Sequence, residues 1–207
     1  MKKRIKRYGA AALSLLLCLA LLAAPVCAAA EGFACDFQTE TLGEAIERYL
    51  ESKGLGGTAV SIGWRDIDSG EEWYFNADMF MEGASTYKLP LAMIYADRIA
   101  AGELSLDERV GSYRLEDALR VMLEDSNNAA GQMLRDRLST NYAEYRRILA
   151  GPSGLDPEGL PSAYYTVNSF SPRFLIGTLQ TLWDGAEEYE MLIDFMKQAR
   201  PDGFLCL

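Results

Sequence analysis

Apolar residues recur at helical spacing through most of this chain and alternate at strand spacing in one region. Leu42, Ala45, Ile46, Tyr49 and Leu50 fall three or four apart and predict a first amphipathic helix. Thr58 to Trp64 and Glu72 to Phe75 alternate β-branched and aromatic residues around Asp68-Ser69-Gly70, the pattern of a hairpin. The run Tyr87-Lys88-Leu89-Pro90-Leu91-Ala92-Met93-Ile94-Tyr95 then reads as the start of a strongly apolar helix. Its proline is tolerated because first-turn amides lack helical partners. Helical stripes continue at Leu115, Ala118, Leu119, Met122 and Leu123, at Ala129, Ala130, Met133, Leu134 and Leu138, and at Tyr142, Tyr145, Ile148 and Leu149. Gly151 to Pro161 is a loop by its glycines and prolines. Ser171 caps a helix with Pro172 in its first position, carrying Phe174, Leu175, Leu179, Leu182 and Trp183. Tyr189, Leu192, Phe195 and Met196 mark the last helix. These aromatic and methionine positions are expected in a core. One hairpin among many helices predicts an α/β (α+β) fold.

The first thirty residues do not fit this pattern. Lys2, Lys3, Arg4, Lys6 and Arg7 precede an apolar stretch from Ala10 to Val26, and Ala28-Ala29-Ala30 precede Glu31. A basic start, an apolar middle and small residues before a cleavage point describe an export signal over residues 1–30. An uncleaved anchor is the alternative, since the apolar run approaches spanning length. The domain then occupies 31–207, about 177 residues, enough for one core. Losing five basic residues and no acid takes the chain from 20 basic against 30 acidic residues to 15 against 30. Nucleic acid is not an expected partner for so acidic a domain. No membrane association is expected after cleavage, and the expected location is secreted or extracytoplasmic, in a bacterial envelope. Cys35 and Cys206 remain, a pair able to form a disulfide in an oxidising compartment if the fold brings them together.

Histidine is absent. That removes Ser-His-Asp and Cys-His catalysis and all His-ligated metals. No motif for another metal site stands out either, and no cofactor or metal is expected. Covalent chemistry would need a lysine base. Ser85-Thr86-Tyr87-Lys88 supplies one, because residues three apart share a helix face and an amine among apolar side chains gives up its proton more easily. The opening turn of a helix also places a backbone N–H near an oxyanion formed at Ser85. Ser126-Asn127-Asn128 comes after the next helix. There Ser126 is suited to relay a proton between Lys88 and a leaving group, and Asn128 to orient a substrate amide. The alternative reading is an N-cap serine, a surface lysine and a polar turn that caps two helices.

Gly83 to Ala92 resembles the nucleophile segment of class A β-lactamases and penicillin-binding proteins. Ala101 to Val110 is similar to the family's next stretch, Ser126-Asn127-Asn128 resembles its S-D-N motif, and Asn168 to Arg173 resembles the start of a later helix. The resemblance implies a helical cluster against an antiparallel sheet and an acyl-enzyme at Ser85, formed with a β-lactam or a D-Ala-D-Ala peptide. It implies catalytic roles for Ser85, Lys88 and Ser126 and a substrate-binding role for Asn128.

Two departures qualify it. The chain contains no K-[ST]-G string, and it ends at Leu207 about where that strand would begin. The closing strands and helix are therefore expected to be lacking, leaving a strand edge that another chain's strand could pair with. No E-x-x-L-N string lies between Asn128 and Ser171, and Glu158 is a weak stand-in for the deacylating glutamate. The expected activity is β-lactam hydrolysis in an antibiotic response. The alternatives are a D-Ala-D-Ala peptidase-like protein that deacylates slowly, or a catalytically dead truncated binding module.

Overall fold

The computed structural model describes residues 39–57 and 60–199. The expected export signal, the expected partners Cys35 and Cys206, and the first two residues of the expected strand lie outside them. The described chain divides into two units between Lys53 and Gly54.

In the first unit, α1 spans Leu42–Ser52. A reciprocal cap starts it: Glu44 N–H donates to Thr41 Oγ1 at 3.2 Å, and Thr41 N–H donates to Glu44 Oε2 at 2.7 Å. Arg48 pairs with Glu40 at 2.6 Å.

The second unit opens with the hairpin. β1 (Ile62–Arg65) pairs antiparallel with β2 (Glu72–Phe75), with Trp64 opposite Trp73. The turn closes as the sequence predicts. Asp66 accepts from the Ser69 N–H at 2.6 Å, and Gly70 takes a left-handed φ of +73°. Two shorter antiparallel ladders were invisible to periodicity, because two residues carry no alternation. They are β3 (Met81–Glu82) with β6 (Ser169–Phe170), and β4 (Arg109–Val110) with β5 (Tyr113–Arg114).

The helices are α2 (Lys88–Ala100), α3 (Leu115–Glu124), α4 (Asn128–Leu138), α5 (Tyr142–Leu149), α6 (Pro172–Asp184) and α7 (Glu190–Lys197). The organising element is α2. Every residue from Leu91 to Ala96 is buried, so this helix has no solvent face over that stretch. Around it pack Leu115, Leu119 and Met122 of α3, Leu134 of α4, Tyr145 and Leu149 of α5, Phe174 of α6 and Leu192 of α7. Tyr95 O–H donates to the Leu134 carbonyl at 2.7 Å, which fixes α2 against α4.

α6 departs from the expected core. Its buried residues include Phe174, Thr178 and Leu182, whereas Leu179 is 50% and Trp183 58% exposed. A helical apolar arc identifies a wide face but does not say how much of it is covered. Here the Phe174–Thr178–Leu182 line faces the core. The neighbouring line of Leu179 and Trp183 lines an open apolar groove with Ile67, Ile176, Ile193 and Met196.

α6 also lies directly on the turn after α5. A methyl group at Gly177 would stand 2.1 Å from the Ser153 carbonyl oxygen, which is backbone and cannot swing away. Gly177→Ala is expected to lower unfolding free energy by about 1–3 kcal/mol through overpacking. Urea unfolding measures this, and a change within experimental error would show that the helix shifts freely on that turn.

Candidate active site

The nucleophile segment is built by two short-range devices. β3 leads into Gly83, whose N–H donates to the Asn168 carbonyl at 2.8 Å beside the β3–β6 ladder. Ala84 then adopts φ +44°, a conformation that side chains with a Cβ rarely hold. Asn168 Nδ2 donates to the Ala84 carbonyl at 2.7 Å and Thr86 Oγ1 donates to the Gly83 carbonyl at 2.6 Å, so this corner is held from both sides. A 3-10 turn over Ala84–Tyr87 carries Ser85, and α2 begins at Lys88. Ser85 thus sits one turn ahead of the helix, exposed, while Lys88 is only 3% exposed.

The opposing wall is the α3–α4 junction. α3 ends at Glu124, Ser126 turns the chain with a left-handed φ of +51°, and Asn127 caps α4 by accepting from the Ala130 N–H at 2.9 Å. That reversal aims three oxygens at one amine. Lys88 Nζ lies 2.5 Å from the Ser126 carbonyl, 2.9 Å from Ser126 Oγ and 2.8 Å from Asn128 Oδ1. It also reaches Ser85 Oγ at 3.2 Å, and Ser126 Oγ stands 3.0 Å from Ser85 Oγ. Ser85, Lys88, Ser126 and Asn128 therefore form one connected cluster. Burial lowers the Lys88 pKa, because the charged form loses water there.

Glu158 is not part of the cluster's hydrogen bonding. It sits in the 3-10 turn Pro157–Gly159, its side chain is 75% exposed, and its carboxylate pairs with Arg147. Among the described residues no three His, Cys, Asp or Glu side chains gather closely enough to hold a metal ion.

Sequence reasoning passed over two residues that shape the site. Asn168 reads along the chain only as a polar residue ahead of a helix, yet it holds the Ala84 carbonyl. Gly131, in the interior of α4, brings that helix close against the nucleophile segment. A methyl group there would lie 2.7 Å from the Tyr87 hydroxyl and 3.4 Å from Lys88 Cε. An isolated glycine inside a helical pattern was the available signal.

An α+β protein whose central apolar helix opens on a serine–lysine pair, facing a second serine across a helix junction, is a recognisable class. The profile of the Beta-lactamase enzyme family matches residues 41–204, and the chain belongs to that family. Solved structures agree on the fold. A beta lactamase from Burkholderia vietnamiensis superposes with a TM-score of 0.61 at 20% identity, over 78% of this chain and 70% of that one. One from Xanthomonas campestris gives 0.59 at 21% identity, over 75% and 69%. The chromosome-encoded beta-lactamase of Vibrio parahaemolyticus gives 0.59 at 16% identity, over 77% and 71%. No curated protein sequence matches the chain.

Gly131→Ala is expected to push the Tyr87 hydroxyl aside, while Lys88 Cε at 3.4 Å stays in ordinary contact. With any substrate that acylates Ser85, the rate should fall about three- to tenfold, because the Tyr87 ring lies 5.8 Å from Lys88 Nζ and its movement disturbs the amine indirectly. Circular dichroism should still report a folded helical protein. A rate within about twofold of the parent, the change expected of a neutral substitution, would place the helix approach outside the chemistry.

Proposed function

We propose that this protein is a secreted serine hydrolase of the class A β-lactamase type, acylated at Ser85 by a β-lactam or a related amide. The observation that carries this reading is the buried Lys88 amine, within hydrogen-bonding distance of both hydroxyls. In the neutral form, Lys88 Nζ accepts the Ser85 proton as Oγ attacks the amide carbonyl. The carbon–oxygen bond forms and the carbonyl π pair moves onto oxygen. That pair returns to re-form the carbonyl as the carbon–nitrogen bond breaks, while Ser126 Oγ donates its proton to the leaving nitrogen and recovers one from the Lys88 ammonium. The product is an ester on Ser85. The Asn128 side chain, whose oxygen holds Lys88, has its amide nitrogen available to a carbonyl on the substrate's side chain. Water then cleaves the ester.

A second reading, a penicillin-binding type of protein with a long-lived ester, is favoured by one observation. The loop acid that the sequence offers for activating water, Glu158, is exposed and paired with Arg147 instead. Export through residues 1–30 belongs to either reading.

Incubation with a reporter penicillin should add the mass of the opened drug to Ser85, and Ser85→Ala should give no adduct. A folded protein that shows no adduct over hours rejects the proposal. The acylation rate should rise with pH to a plateau, because the reactive form of Lys88 is the deprotonated one. The midpoint should lie below the value of a free lysine, in line with the lowered pKa. In Lys88→Met the rate should fall about 10²- to 10⁴-fold and lose that pH limb. Persistence of the adduct separates the two readings, and Glu158→Gln should leave its lifetime unchanged.

A further inference from the structure

The largest fully buried side chain in the described protein is charged. Arg146 of α5 is 0% exposed. Its hydrogen bonds go to backbone: Nε donates to the Tyr164 carbonyl at 2.8 Å and Nη2 to the Ser169 carbonyl at 2.5 Å. Its guanidinium lies 3.9 Å from the centre of the Tyr164 ring and 4.5 Å from that of Phe170. Tyr164 O–H returns a bond to the Arg146 carbonyl at 2.7 Å. Burying a guanidinium costs desolvation that a methionine or leucine of similar reach would avoid. What those residues cannot supply is a planar group that stacks on rings and donates to two separate carbonyls at once.

One end of that grip belongs to the segment that supports the nucleophile. Ser169 stands opposite Glu82 and Phe170 opposite Met81 in the β3–β6 ladder. Asn168, next in the chain, holds Gly83 through its carbonyl and Ala84 through its side chain. The Phe170 ring, under the guanidinium, also fills the space beside Gly83, where a methyl group would meet it at 2.3 Å. A continuous set of contacts therefore runs from the guanidinium through residues 168–170 to the strained corner immediately before Ser85.

We propose that Arg146 is a positioning residue for Ser85, acting through Ser169, Phe170 and Asn168. The proposal rests on the acylation of Ser85 put forward above. Loss of the Nη2 donor to Ser169 and of the guanidinium stacked on Phe170 frees the 168–170 segment, and the left-handed Ala84 corner then relaxes toward ordinary backbone, which rotates Ser85 away from Lys88.

The test uses the full chain as Arg146→Met, Arg146→Lys and Asn168→Ala, with two readouts. The first is the acylation rate constant for a reporter penicillin together with its non-covalent dissociation constant. The second is amide hydrogen exchange at Gly83, compared with Leu91–Ala96 in α2. Arg146→Met is expected to slow acylation about tenfold with binding and the pH midpoint unchanged. Gly83 exchange should quicken about tenfold while α2 stays protected. Arg146→Lys, which keeps the charge but not the two-carbonyl geometry, should fall between. Pairing Arg146→Met with Asn168→Ala should add little to either alone, because both act on one corner.

A folded Arg146→Met that leaves either readout within about twofold of the parent overturns the proposal, as does a fully multiplicative double variant. If Arg146→Met does not fold, Arg146→Lys and Asn168→Ala decide by the same criteria. An unmodified parent protein would instead sink the acylation reading, and Gly83 exchange alone would then judge the clamp.

Discussion

The site depends on a buried lysine amine that pairs with no carboxylate among the described residues. Lys88 Nζ, which carries at most three N–H donors, has four neutral oxygens within hydrogen-bonding distance: two serine hydroxyls, one backbone carbonyl and one amide oxygen. Neutral acceptors stabilise an ammonium less than a carboxylate would, so burial is free to lower the pKa. The same four oxygens hold the amine in one place. An amine placed this way is both easier to deprotonate and already aimed at its targets.

The placement comes from two strained corners, not from the helix that carries the lysine. Ala84 and Ser126 both adopt left-handed backbone without being glycine. Each costs on the order of 1 kcal/mol, and each persists because surrounding bonds over-determine it. At Ser126 the restraint is the cap of α4 together with the amine itself. At Ala84 it is Asn168, and behind Asn168 the buried guanidinium of Arg146. The helices thus provide a rigid floor, and the loops on either side decide where the reacting atoms sit.

The second unit combines this tight site with an open flank. Its core is dense around α2, yet α6 turns Leu179 and Trp183 outward along an apolar groove. The groove is lined from β1, the turn after it, α6 and α7, and includes none of Ser85, Lys88, Ser126 and Asn128.

Much of this was legible along the chain. Helical stripes located α2 to α7, because burial of one face imposes a 3.6-residue period whatever the partner is. Asp68-Ser69-Gly70 marked the hairpin turn because only certain residues tolerate its backbone. The absence of histidine and the three-residue spacing of Ser85 and Lys88 narrowed the chemistry, since adjacency on a helix is a local property. The remainder depended on residues far apart in sequence. That Ser126 faces Lys88 is a consequence of how α3 and α4 pack on α2. That Arg146 is buried contradicts its polarity and required a pair of distant carbonyls to receive it. That Trp183 is exposed contradicts its apolarity and reflects what lies across from α6. A local pattern records which side of an element avoids water, whereas the partner that covers it, or fails to, is set only when the chain folds.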